Sequence, residues 1–301
     1  MLKILVWLIS DDMQYLDRAL KTLERQHNGI ELVGVIAETE TPLVWERKNV
    51  TFIPLDKVDE VKDYEVLLVV GAKKIGMSRV VKNAAQFNLP EEKLLGDWIV
   101  CIPGFTLNKY RQLQHSRLSI LSSNCFGGIL AHWLGLSVNS PLFNLFILPK
   151  DFVKFLREPR AYLKEKLVFS GEKFVEKGNY TYPIAKLGDI SVNMMHYKTF
   201  EEAVEAWERR TPRINWNNLF VEVHSNTKEL LEEFDALPYA KKVCFVPFKS
   251  DLDSAWYINP AIDKTTDRLD FKLHRFARGN FVYYDPFDML LYGKKTQLIN
   301  M

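Results

Sequence analysis

Apolar and polar positions follow two rhythms over the N-terminal third of the chain. Residues 2–9, Ile30–Ala37 and Val66–Val70 are continuous apolar runs of strand length, the pattern of strands buried on both faces. Between the first two, Met13, Leu16, Leu20 and Leu23 fall at helical spacing over residues 13–27, with Asp11 or Asp12 placed to cap the start. Residues 50–54 predict a short strand, 78–87 a helix and 94–102 a last, irregular strand. Strands alternating with helices through short links predict a parallel sheet covered on both faces. Residues 1–110 are therefore expected to form a Rossmann-like α/β domain. Pro103-Gly104 marks a turn, and residues 105–113 predict a connecting helix.

Residues 111–301 predict a second, less regular α/β domain. It reads as a strand at 118–121, helices at 127–134 and 151–156, and a hairpin over 168–182 turning at Lys177-Gly178-Asn179. A strand at 190–197 follows, then a helix over 199–210 with Thr199 as its cap and Glu202 three residues on. Leu219–His224 is a strand, 227–237 a helix and 243–248 a strand. Farther on, Leu269, Phe271 and Leu273 alternate with Arg268, Lys272, His274, Arg275 and Arg278. That alternation predicts a strand with a solvated basic face.

Composition narrows the class. The chain has 301 residues, 47% hydrophobic, 26% charged and 13% aromatic, which is a globular rather than a disordered composition. Its net charge of +2 offers no long-range attraction to a polyanion, so a nucleic-acid partner is not expected. Cys101, Cys125 and Cys244 are odd in number and widely spaced, which argues against a disulfide framework and a structural zinc and for a reducing cytoplasm. The N-terminal apolar run is too short for a signal peptide. The next apolar stretch, 134–149, is broken by Ser137, Asn139, Ser140, Pro141 and Asn144, so no membrane span is expected.

The first strand-to-helix turn, Ser10 to Gln14, has no glycine and carries two carboxylates, which disfavours dinucleotide binding there. Gly71-Ala-Lys-Lys-Ile-Gly76 suits an anion better, or is a solvated loop. The most unusual segment is Ser122-Ser-Asn-Cys-Phe-Gly-Gly128, between a strand and an apolar helix. Ser123, Asn124, Gly127 and Gly128 would offer backbone N–H groups to an anion or a developing oxyanion, and Cys125 is a candidate nucleophile at the helix end. The plainer alternative is a small buried cysteine beside glycines that allow close packing. His132 is two turns along, about 10 Å up the axis, and is a poor base for Cys125.

In Asp189–Tyr197, strand alternation puts His196 on an apolar face at the strand's C-terminal end, where α/β sheets gather ligands. His196 and Asp189 are candidate acid–base groups, and a packed core histidine is the alternative. Arg209, Arg210 and Arg213 would grip phosphate, with Asn144, Asn215 and Asn218 on sugar hydroxyls, or the arginines simply complement a helix C-terminus. Asp251-Leu-Asp253 after a strand would suit Mg²⁺ or Mn²⁺, although such a pair also arises by chance.

The ordered set Leu118-Ser-Ile-Leu-Ser-Ser-Asn-Cys-Phe-Gly-Gly, Leu134-Gly-Leu, Ser140-Pro-Leu-Phe-Asn144, Asp151-Phe-Val-Lys, Tyr182-Pro, Gly188-Asp189, His196-Tyr197 and Trp207-Glu-Arg-Arg through Leu219-Phe220 resembles a bacterial family of unknown function. Its members are often labelled exopolysaccharide-biosynthesis proteins. The resemblance covers residues 118–248 and implies a role in making or modifying surface polysaccharide. It supplies no proven reaction. Three functions are carried forward. The first is a cytoplasmic transferase acting on a sugar nucleotide or glycan precursor. The second is a non-catalytic scaffold of a polysaccharide assembly, and the third a cysteine-dependent acyltransferase using Cys125.

Overall fold

The computed structural model describes residues 1–10, 12–37, 51–280 and 282–298. Asp11 lies outside the described residues, as does Val50 of the strand expected at 50–54. The chain divides into two compact units, Met1–Gln114 with His132–Leu136, and His115–Ala131 with Ser137–Met301.

The first unit is built on β1 (Leu2–Leu8), α1 (Leu16–Gln26), β2 (Ile30–Ala37), β3 (Phe52–Pro54), β4 (Val66–Val70), α2 (Met77–Gln86), β5 (Leu94–Gly96), α3 (Asp97–Val100) and α4 (Leu107–His115). Its strands form one parallel sheet in the order β3-β2-β1-β4-β5, a Rossmann-like arrangement. Every residue of β4 is buried, as its unbroken Val/Leu run requires. Two expectations are corrected here. Asp12 does not cap α1, whose N-cap is Tyr15 with no side-chain hydrogen bond. The irregular strand expected over 94–102 is a three-residue strand followed by a helical turn. Trp98, Ile99 and Val100 are buried on α3, where a short apolar run suits either conformation.

The second unit begins with β6 (Ser119–Ser122) and α5 (Phe126–Leu134). Next come β7 (Phe146–Ile147), α6 (Pro149–Arg157), α7 (Pro159–Tyr162), β8 (Leu167–Val175), β9 (Tyr180–Leu187) and β10 (Ile190–Asn193). It continues with α8 (Phe200–Arg210), β11 (Leu219–His224), α9 (Lys228–Asp235), β12 (Lys242–Val246), β13 (Ala255–Tyr257), α10 (Leu269–Ala277) and α11 (Pro286–Tyr292). A parallel sheet runs β13-β12-β11-β6, and an antiparallel one β7-β10-β9-β8. Phe152, Phe155, Val192, Val221, Phe234 and Val246 belong to one buried cluster joining residues of both sheets with α6 and α9. Thr199 caps α8 as its spacing predicts, accepting the Glu202 N–H at 3.2 Å.

The basic strand expected over 268–278 is instead the helix α10. Leu269, Leu273 and Phe276 are buried at helical spacing. Lys272 is not solvated. It is 2% exposed and donates to the carbonyls of Pro260, at 2.7 Å, and Asp263. No helix of the described residues is long and apolar enough to cross a membrane.

Candidate functional site

β6 ends at Ser122, and the next three residues turn the chain into α5. The turn is held from three sides. The Ser123 N–H donates to Glu222 O at 3.0 Å, and Ser123 O accepts the Ile147 N–H at 2.9 Å. Asn124 Oδ1 accepts the Phe126 N–H at 2.7 Å, and Ser122 Oγ accepts the Gly127 N–H at 3.3 Å. Among the described residues, the N–H groups of Cys125 and Gly128 have no hydrogen-bond partner. Such groups at a helix N-terminus favour a negative charge. Gly127 is needed for close approach: a Cβ there would stand 2.5 Å from Ile120 Cγ2 and 2.8 Å from Ser122 Cβ. Gly128 has more room, its nearest neighbour being Phe143 at 3.6 Å.

Cys125 is half-buried at the first step of this helix. Its Sγ lies 3.3 Å from His196 Nε2, within hydrogen-bond reach for sulfur. His196 follows the end of β10 in a turn closed by the Tyr197 N–H on Met194 O at 3.0 Å. Its own N–H donates to Asn144 O at 3.3 Å, and Asn144 takes a φ of +69°. Arg210 braces the same turn, donating to Tyr197 Oη at 2.7 Å and to Phe143 O at 3.2 Å. Asn144 and Arg210 therefore hold the histidine-bearing segment by backbone and side-chain bonds. Burial pushes the Cys125 thiol up to about 11, with Arg278 pulling it down and Asp270 raising it. Partial desolvation lowers His196 from its ordinary value. Near neutral pH the pair is a thiol and a neutral imidazole, not an ion pair.

Sequence reasoning missed four participants. His224 ends β11, and its Nδ1 lies 2.9 Å from Asn124 Nδ2. Because Asn124 Oδ1 already accepts the Phe126 N–H, its amide nitrogen faces the ring, and His224 accepts at Nδ1 and carries its proton on Nε2. Glu222, two residues earlier, hydrogen-bonds Ser122 Oγ. α10 supplies Asp270, paired with Arg268 at 3.1 Å, and His274, whose Nε2 is buried with no partner among the described residues. Burial lowers His224 and His274 from their ordinary values, with Asp270 acting against it on both. The helical spacing of Leu269, Leu273 and Phe276 was the signal that would have placed Asp270 and His274 one turn apart. A cleft of about 420 Å³ opens at His224, lined also by Pro149, Lys150, Ser225, Thr227 and Leu230.

Other predicted residues lie elsewhere. Asp189 precedes β10, at the end opposite His196, and is taken by Lys154 and by Tyr162 Oη at 2.7 Å. Asn215 donates to Arg117 O at 3.1 Å and Asn218 to Ser116 O at 2.8 Å. Both precede β11, whereas Cys125 and His224 lie at the carboxyl ends of β6 and β11, about 20 Å along the strand. Arg209 and Arg213 are exposed. Asp251 and Asp253 are exposed on the β12–β13 connection. Among the described residues, no three His, Cys, Asp or Glu side chains are grouped to hold a metal ion. His132 is grouped with the first unit, where it packs against Gly76.

Residues 100–292 match the model of a domain of unknown function, DUF1919. The chain belongs to the DUF1919 family. It is also similar to an uncharacterised protein of Haemophilus influenzae, 34% identical over 184 residues, which cover 59% of this chain and 84% of that protein. The DUF1919 match contains Cys125, His196, Glu222, His224 and His274, while β1–β5 precede it.

Proposed function

We propose that this DUF1919 protein is a cysteine-dependent acyltransferase. The observation that carries the reading is the 3.3 Å approach of Cys125 Sγ to His196 Nε2 at the start of α5. As Sγ attacks an acyl carbonyl, His196 Nε2 takes the thiol proton, as a neutral imidazole can. The carbonyl oxygen becomes an oxyanion facing the N–H groups of Cys125 and Gly128. Collapse breaks the bond to the leaving group, which receives the proton from His196, and leaves an acyl thioester on Cys125. An acceptor hydroxyl then attacks that thioester, passing its proton to His196, and the thiol is restored.

A glycan precursor as the acceptor rests on the motif resemblance to proteins labelled for exopolysaccharide biosynthesis. Transfer from a sugar nucleotide draws on Arg209, Arg210, Arg213, Asn144, Asn215 and Asn218; of these, Arg210 and Asn144 are engaged in bracing the His196 segment, and the others supply no contact to the Cys125 turn. The geometry therefore favours the cysteine reading. The test is intact-mass analysis after incubation with an acyl thioester and with an activated phenyl ester. A single acyl adduct mapped to Cys125, absent from Cys125→Ser and slowed in His196→Ala, is expected. A protein whose Cys125 takes iodoacetamide but no acyl group from either donor would overturn the reading.

A further inference from the structure

Two rungs tie the turn before Cys125 to β11. Glu222 and His224 are two residues apart and share one face of the sheet. They meet Ser122 and Asn124, also two apart. The upper rung, Asn124 to His224, has its donor and acceptor fixed by the α5 cap. The lower rung has a proton to account for. Ser122 Oγ lies 3.0 Å from Asn124 O, accepts the Gly127 N–H at 3.3 Å and hydrogen-bonds Glu222 Oε2. A hydroxyl has one proton and two lone pairs. The Asn124 carbonyl can only accept and the Gly127 N–H can only donate. Asn124 O has no other donor among the described residues, so the hydroxyl proton is assigned to it and the remaining lone pair faces Glu222. Two lone pairs repel, so the proton on this rung comes from the glutamate.

We propose that Glu222 is a positioning residue for Cys125: as a neutral carboxylic acid it donates to Ser122 Oγ and so fixes the turn from which the nucleophile and the first N–H groups of α5 project. Its surroundings fit a neutral acid. Glu222 is 0% exposed. β6 brings it Ser122 and no charged group, and β12 brings the Cys244 thiol, itself raised by burial. Among the described residues, no cation influences it. Burial pushes the carboxyl up to about 8; a hydroxyl proton donated by Ser122 would lower it, and that proton is taken by Asn124 O. Oε1 has no partner among the described residues, a smaller cost for an acid carbonyl than for half of a carboxylate.

The catalytic consequence rests on the reading of Cys125 as nucleophile, but the protonation state does not. Two measurements separate them. The infrared difference spectrum between wild type and Glu222→Gln should show a protonated carboxyl at about pH 6, replaced by carboxylate above about pH 8. Iodoacetamide labelling of Cys125, resolved from Cys101 by peptide mass, should show an inflection at about pH 8 in wild type. Glu222→Gln, which keeps a donor to Ser122, should abolish that inflection and hold the rate near neutral pH within about twofold. Glu222→Ala should change the rate at every pH. A carboxylate band at about pH 6, or an inflection that survives in Glu222→Gln, would overturn the proposal. Failure to form an acyl adduct would instead remove the acyltransferase reading and leave the infrared band in place.

Discussion

The described residues form two parallel sheets, and the carboxyl edges of the two are furnished differently. In the first unit, the edge carries Ser10, Asp12, Gly71 and Asp97. Its elements are spent on one another: Ser10 Oγ donates to Gly71 O at 3.0 Å, and Lys73 lies over the Tyr15 ring at 4.6 Å. A Cβ on Gly71 would come within 2.1 Å of Ser10 Oγ, and the residue has a φ of +80°. The glycines of this loop therefore serve turn closure. In the second unit, the edge carries a cysteine, histidines and a helix start with unpaired N–H groups. Both edges bury one acid. Burial raises Asp97 to about 7, against hydrogen bonds from Trp98 and Gly71, and raises Glu222 to about 8. A Rossmann-like edge is thus a place to build a site, and only the side chains delivered to it decide whether one is built.

The largest expected effect breaks the comparison at its reactive group. Cys125→Ser should abolish acyl-adduct formation in intact-mass assays, while Cys101→Ser should leave it intact. His196→Ala should slow acylation by about 10²–10⁴-fold. The wild-type rate should fall in acid as His196 protonates, with a midpoint below the ordinary histidine value because desolvation lowers it. A midpoint above that value would contradict the neutral pair.

Stability measurements sharpen the contrast between the edges. An acid raised in the folded state is protonated there while the unfolded chain has lost its proton. Its stabilising contribution is complete below the unfolded value and is lost as pH rises toward the folded one. Asp97 acts this way between its ordinary value of 3.8 and about 7, and Glu222 between 4.5 and about 8. Each should tilt the unfolding free energy by up to about 1.4 kcal/mol per pH unit within its window. Asp97→Asn and Glu222→Gln should each flatten the slope in urea titrations, and only the second should remove the inflection from the pH profile of Cys125 labelling. Gly127→Ala should cost about 1–3 kcal/mol by overpacking against Ile120, with Gly128→Ala costing less. The smallest effect is expected at Arg213→Ala, within about 0.5 kcal/mol in stability and with Cys125 labelling unchanged. A large loss of labelling there would connect the exposed arginine to the site.

Much of the fold is legible in local pattern. β2, β4 and β11 have the bounds their apolar runs predict, and β4, buried along its whole length, carries no polar residue. The Thr199 cap reads directly from spacing. α10 does not, since Leu269, Phe271 and Leu273 also alternate, and over so few residues the two periods overlap. Phe271 proves exposed, and Lys272 is buried by two carbonyls that precede it in the chain. Reading that helix as a strand hid Asp270 and His274.

By itself the sequence determined the strand–loop–helix frame of Ser122 to Gly128 and nominated Cys125 and His196 separately, because propensity, capping and backbone N–H exposure act over a few residues. Tertiary structure decided who meets whom. Cys125 and His196 are 71 residues apart, and the two rungs to β11 span 100 residues each. Those distances are closed by sheet register and by the turn that Asn144 and Arg210 brace. Burial also raises the Cys125 thiol and the Glu222 carboxyl, and no local spacing encodes which side chains surround a group once it leaves water.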